Sequence, residues 1–337
     1  MKDSIRLVQL HHASEGRKLA LVDGNALRFL TGAVSVYELA FESIRTQQTI
    51  TVLIENQVSD VSVHYDELYE GRSSWKILPS FDHPSNPSAC LVSGTGLTHK
   101  KSAVNRQNMH TADADKMTDS MKIYQWGLEG GQVMAGTIGV QPEWFYKGTG
   151  EMLKAHGEPL EIPPYANDGG EEPEVAGIYV IGQEGQPYRV GFTTGNEFSD
   201  HVMESKNYLY LAPSKLRQCA IGPELVIDGD FTDIEGTVSI ERNGTVLWSQ
   251  EVKTGENNMA HSLSNLEYHH FKYAFHRLPG QAHVHFFGAD AFSFGKGIPL
   301  KNLDTMVVEW NKMGRPLRNP LKMLKEEENY VGVKSLG

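Results

Sequence analysis

Two glutamates, two residues apart, open a stretch that then turns almost wholly apolar: EEPEVAGIYVIG, Glu171 to Gly182. Successive side chains of a strand point to opposite faces, so Glu172 and Glu174 share a face with Ala176, Ile178 and Val180. That face is apolar and bound for the interior, which puts the carboxylates at its mouth. The next strand, PYRVGFTTGNEF, follows the short turn QEGQ. With Gln183–Gln186 as the loop, Gly182 pairs with Pro187, and the same register sets Glu197 across from Glu172. Three buried like charges repel one another and need a cation. Oxygen ligands from two adjacent strands, open on one side, suit a hard divalent ion, Mg²⁺ with Mn²⁺ or Ca²⁺ as substitutes. The plain alternative is a solvated GGEEPE loop with Glu197 at an exposed strand end.

The elements that must position these residues divide the chain of 337 residues in two. In residues 1–85, RLVQL and KLALVDGNALRFL read as short strands, and VSVYELAFESIRTQQTITVLIENQ has helical spacing, which gives a small α/β domain. A Pro-, Ser- and Asn-rich linker follows around residues 79–89. Residues 86–337 start with a polar, Gly-led segment of weak helical character, about 94–120, and become strand-rich after 160. There VAGIYVIG, PYRVGFTTG, CAIGPELVIDG, GTVSIERNGTVLWSQE, HVHFFG and MVVEWN are strands, RNGT is a hairpin signal, and HSLSNLEYHHFKYAFHR is a helix. The fold class expected is α+β, with a mixed β-sheet roll or barrel in the larger part.

A net charge of −11 argues against a nucleic-acid or anionic-lipid footprint. No run approaches the ~18 apolar residues of a membrane span, and the amino terminus lacks an apolar leader. Cys90 and Cys219, outside any CxxC pattern, read as buried free thiols, so the expectation is a cytoplasmic protein without nucleic-acid or membrane partners.

The ordered set EPEVAGIYVIG, YRVGFTTGNEFSD and YLYLAPSKLRQCAIGPEL resembles the carboxy-terminal domain of the fumarylacetoacetate hydrolase family, and within it the 2-keto-3-deoxy-pentonate (sugar-acid) dehydratases. The resemblance implies a twisted mixed sheet rolled around the site and a homodimer. It assigns the metal to Glu172, Glu174 and Glu197, although the family usually has Asp at the last position. GLTHKKSAVNR matches the family's lid and implies substrate contacts at Thr98, His99, Ser102 and Arg106. PEWFYK brings Glu143 and Lys147, and HFFGADAF puts Ala289 where a substrate-binding threonine is expected, with Asp290 or Ser293 as replacements for that contact.

The chemistry implied is metal-dependent dehydration of 2-keto-3-deoxy-pentonate to 2,5-dioxopentanoate. A 2-keto acid chelates the cation, and negative charge developing on its keto oxygen is stabilised. Lys215 is the expected C3 base, its pKa lowered by burial and the cation, and Glu143 the acid for the C4 hydroxyl. Arg106 and Lys147 would pair with the substrate carboxylate or orient its hydroxyls. Two alternatives remain: hydrolysis of a carbon–carbon bond in a 2,4-diketo acid, and a non-catalytic sugar-acid binding protein. Hydrolysis needs an activated water, for which hydrolases of the resembled family typically place a His with a Glu three residues on in the lid, whereas His99 is followed at that spacing by Ser102. The histidines of EYHHFKYAFH and HVHFF, His269, His270, His276, His283 and His285, are more simply core or surface residues than a second metal site.

Overall fold

The structure, a computed structural model, describes residues 4–110 and 118–337. The chain begins with β1 (Ile5–His12), β2 (Gly16–Asp23) and β3 (Ala26–Leu30). The expected helical stretch is two helices, α1 (Val36–Thr46) and α2 (Ile50–Gln57). Gln47, at φ 56°, ends the first, and the side chain of Thr49 caps the second by accepting from Val52 N. β4 (Val58–His64), α3 (Tyr65–Tyr69) and β5 (Lys76–Ile77) complete this part.

Beyond it run β6 (Cys90–Gly96), α4 (Lys100–His110), α5 (Asp119–Gly130), β7 (Glu143–Thr149), β8 (Leu153–Lys154) and β9 (Leu160–Ile162). The strands flanking the acidic residues are β10 (Pro173–Ile181) and β11 (Pro187–Asn196), followed by α6 (His201–Lys206), α7 (Leu211–Lys215) and β12 (Cys219–Ile227). The chain continues through β13 (Ile234–Arg242), β14 (Thr245–Thr254), α8 (Leu263–Phe271), β15 (Ala282–Phe286), β16 (Thr305–Trp310) and β17 (Leu317–Met323). RNGT is the turn between β13 and β14: Arg242 pairs with Thr245, and Asn243 and Gly244 both have positive φ, 52° and 75°. The segment expected as a lid forms α4 and α5, and its residues 111–117 lie outside the described residues.

Among the described residues the strands form a 12-stranded sheet, order β4-β3-β2-β1-β12-β11-β10-β15-β6-β7 with β5 and β8 alongside, and a five-stranded sheet, β14-β13-β16-β17-β9. This is the α+β, mixed-sheet architecture expected. Pairing of β1 with β12 carries the large sheet across residue 85. Every residue of β10 is buried because both faces are covered. Ala176, Ile178 and Val180 pack in one cluster with Val36, Leu39 and Leu53 of α1 and α2, whereas Val175 and Tyr179 pack with Val238, Val308 and Trp310 of the second sheet.

The β10–β11 register needs one correction. At the turn Ile181, not Gly182, pairs with Pro187, and Gly182 N donates to Gln186 O, so the pairing there is shifted by one residue from that expected. Opposite Ile178 and Tyr179, β11 skips Val190, whose side chain is buried in the core. This bulge absorbs one extra residue and restores the expected register beyond it. Pro173 then faces Asn196, and Glu197 N donates to Glu172 O at 3.0 Å.

Candidate metal and catalytic site

Glu172 immediately precedes β10, Glu174 is its second residue, and Glu197 follows β11, so the end of one hairpin delivers all three carboxylates. Each offers an oxygen within 4.8 Å of the others, and all three residues are buried. Among the described residues this is the one such trio of His, Cys, Asp or Glu side chains. Burial, and then the charges of Glu197 and Glu172, raise the Glu174 pKa well above the usual carboxylate range. Its Oε2 accepts from Gly288 N at 2.6 Å, and no ammonium or guanidinium pairs with it among the described residues. An all-oxygen donor set with surplus negative charge fits a hard divalent cation.

Lys215 ends α7 and reaches back into this cluster. Its Nζ donates to Glu172 Oε1 at 2.6 Å, Glu197 Oε2 at 2.5 Å and Ser199 Oγ at 3.1 Å, and lies 4.7 Å from the centre of the Phe145 ring. Burial alone would lower the Lys215 pKa, as expected from the sequence, but Glu172 and Glu197 outweigh it and the net displacement is upward. A cation bound to those carboxylates would draw them away from Lys215 and weaken its hold on its proton. Burial would lift Glu172, yet Lys215 and then His201 hold it well below its usual value; burial lifts Glu197 to about 7 against Lys147 and Lys215.

Lys147, expected to touch substrate, is turned away from the cavity. Its Nζ donates to Glu197 Oε1, to Phe198 O at 3.0 Å and to Lys215 O at 3.0 Å, which engages all three of its donors beneath the acidic cluster. Thr98 and His99 are likewise withdrawn. Thr98 Oγ1 donates to Phe287 O at 2.8 Å and lies 2.9 Å from His99 Nδ1, while His99 Nε2 meets Thr254 Oγ1 at 3.1 Å. Burial depresses the His99 pKa to about 4. Of the replacements for the missing threonine, Ser293 donates to Glu171 through N (2.6 Å) and Oγ (2.8 Å), and Asp290 accepts from Lys101 Nζ at 2.7 Å.

A cavity of about 20 Å³ is lined by Ser102 and Arg106 of α4, by Glu172, Glu174 and Lys215, and by Ala289. Arg106 Nη1 lies 3.1 Å from Glu143 Oε1, and its Nε pairs with Glu204 of α6. Burial raises the Glu143 pKa; Arg106 opposes this and Glu204 adds to it. Sequence reasoning missed His201 and Glu204. His201 Nε2 lies 3.0 Å from Glu172 Oε1, and its ring stacks on Phe292 at 4.6 Å. The signal was the i, i+3 spacing of His201 and Glu204 in SDHVMESK, which sets both on one face of a short helix.

The other histidines gather elsewhere. His270 Nε2 meets His283 Nδ1 at 3.0 Å, the His270 and His285 rings stack at 4.2 Å, and His276 Nδ1 bonds His270 O at 2.7 Å. His269 is turned to Gly139 O at 3.0 Å.

No family model matches the sequence. A probable 2-keto-3-deoxyxylonate dehydratase of Haloferax volcanii is 31% identical over 121 residues, 34% of this chain and 40% of the relative. A 2-dehydro-3-deoxy-D-arabinonate dehydratase of Saccharolobus solfataricus is 30% identical over 122 residues, 35% and 40% of the two chains. The matches thus span about 40% of the length of these curated relatives. A solved 2-keto-3-deoxy-D-arabinonate dehydratase, complexed with magnesium and 2,5-dioxopentanoate, superposes with a TM-score of 0.67 at 19% identity, over 95% of this chain and 100% of that one. The chain shares its fold. A 2-hydroxyhepta-2,4-diene-1,7-dioate isomerase of Mycobacterium marinum follows, with a TM-score of 0.58 at 17% identity over 96% and 100% of the chains. The fumarylacetoacetate-hydrolase-type fold expected from the motifs is therefore the fold found.

Proposed function

We propose that this chain is a Mg²⁺-dependent hydro-lyase that converts a 2-keto-3-deoxy-pentonate to 2,5-dioxopentanoate. The observation that carries the reading is the buried Glu172, Glu174 and Glu197 cluster with Lys215 on it, at a cavity also lined by Arg106, whose guanidinium meets Glu143. Sequence similarity to dehydratases of this substrate class supports it. Bound to the three carboxylates, the cation would supply Lewis acidity to a 2-keto acid.

The protein's own groups move the protons. Lys215, released from Glu172 and Glu197 and with its own proton passed to solvent, takes the C3 proton; the C3–H electron pair forms the C3=C4 bond as the C4–O bond breaks. Glu143, whose pKa burial raises, gives a proton to the departing hydroxyl, which leaves as water. Loss of a C5 proton and return of one to C3 then moves the double bond to C4=C5, and the resulting enol takes a proton at C4 as its C5 hydroxyl gives one up, leaving the aldehyde. Arg106 holds Glu143 in place from α4. A cavity of about 20 Å³ admits a water but not a five-carbon acid, so α4 shifts on binding and acts as the lid.

The withdrawal of His99 into a contact with Thr254 supports dehydration over water-driven carbon–carbon cleavage. We also propose a homodimer, from the family resemblance, and a cytoplasmic setting, which the free buried Cys90 and Cys219 suit. No helix of the described residues is long and apolar enough to cross a membrane. Assays with both C4 epimers of 2-keto-3-deoxy-pentonate and with a 2,4-diketo acid, each with Mg²⁺ and with a chelator, test the function. Metal-dependent loss of water from one epimer is expected; faster cleavage of the diketo acid would replace the reading.

A further inference from the structure

We infer that Glu204 selects the substrate, its second carboxylate oxygen accepting a hydrogen bond from the hydroxyl that the reaction retains, the one on C5; this rests on the function proposed above. Glu204 is in the first turn of α6, and its side chain is only 3% exposed. Arg106 Nε holds its Oε1. Its Oε2, also buried, has no hydrogen-bond partner among the described residues. Glu204 lines the same cavity as Glu172, Glu174 and Lys215.

A buried carboxylate oxygen without a donor is costly, and a binding cavity that keeps one is complementary to a ligand that brings the donor. The rest of the cavity narrows the choice. The hydroxyl that leaves must be given a proton, a task suited to Glu143, which Arg106 holds at 3.1 Å and whose pKa burial raises. Glu204, paired with the Arg106 guanidinium, is placed to accept a proton's hydrogen bond and suits a hydroxyl that stays. Arg106 lies between the two carboxylates and touches both, so they serve neighbouring carbons of one chain. A site built to bind a hydroxyl also discriminates against the analogue that lacks it.

Two ligands without a C4 hydroxyl test this, because neither can lose water: 2-oxopentanoate and 5-hydroxy-2-oxopentanoate. With the full chain and Mg²⁺, calorimetry should find the hydroxylated acid roughly 10- to 100-fold tighter, the range of a hydrogen bond to a charged group. E204Q, which puts an amide donor where an acceptor stood, should reduce that preference to within about threefold, with 2-oxopentanoate bound about as in wild type. Equal wild-type affinities, or an undiminished preference in E204Q, would overturn the inference. Should E204Q fail to fold, the wild-type ratio alone decides. If wild type binds neither acid in the presence of Mg²⁺, the functional reading falls and this inference with it; if it binds both equally, only the inference falls.

Discussion

At the residue scale the proposed cation would contest these carboxylates with one of the two lysines that reach them. Lys147 is structural: its donors are fully engaged beneath Glu197, and it takes no part in the contest for Glu172. Lys215 is the exchangeable partner, bonded to two of the three carboxylates at 2.6 and 2.5 Å. Replacing Lys215 by Met should therefore cut turnover by about 10²- to 10⁴-fold, the usual range for a lost general base. Mg²⁺ affinity should hold or tighten, because a competitor for Glu172 and Glu197 has gone; turnover and calorimetry on the same preparation read the two effects separately. A variant that loses metal and activity together would show Lys215 to be a structural member of the cluster rather than the base.

At the element scale, one hairpin and the loop after β15 set the geometry. The strand alternation around Glu172 and Glu174 was legible in the sequence; the register that brings in Glu197 came out as expected because the bulge cancels the one-residue difference at the turn. The bulge at Val190 was not legible, since an extra residue is accommodated by tertiary packing rather than by any local residue type. For the same reason polar residue types could not tell that Thr98, His99 and Lys147 turn inward to protein partners while Ser102 and Arg106 line the cavity. Gly288, just after β15, has φ 104° and donates to Glu174. A Cβ there would collide with Thr98 Oγ1. Gly288→Ala should accordingly cost about 1–3 kcal/mol of stability and weaken Mg²⁺ binding roughly 10- to 100-fold although it removes no ligand. Denaturant unfolding and a metal titration check the two effects; unchanged metal affinity would show that the Gly288 amide does not orient Glu174.

At the scale of the whole molecule, the buried histidines make stability a function of pH. Burial depresses His283 and His285 to about 3 and also lowers His270 and His276. The unfolded chain then binds protons below about pH 6.5 that the folded chain refuses, so stability is full above that pH and falls as pH drops toward 3. Each such histidine contributes a slope of about 1.4 kcal/mol per pH unit. His285→Leu should flatten the acid limb by about one proton, measured as the difference in denaturant midpoint between pH 7.5 and pH 4.5. The fold class and the acidic trio could be read ahead of the structure; the continuous sheet across residue 85 could not, because pairing of β1 with β12 joins segments more than two hundred residues apart. The central claim, that this fold removes water from a 2-keto-3-deoxy sugar acid at a metal site with Lys215 as base, is tested most directly by proton NMR of the reaction in deuterium oxide with Mg²⁺. The account predicts deuterium at C3 and the appearance of 2,5-dioxopentanoate; full retention of the C3 protons with no such product from either C4 epimer would contradict it.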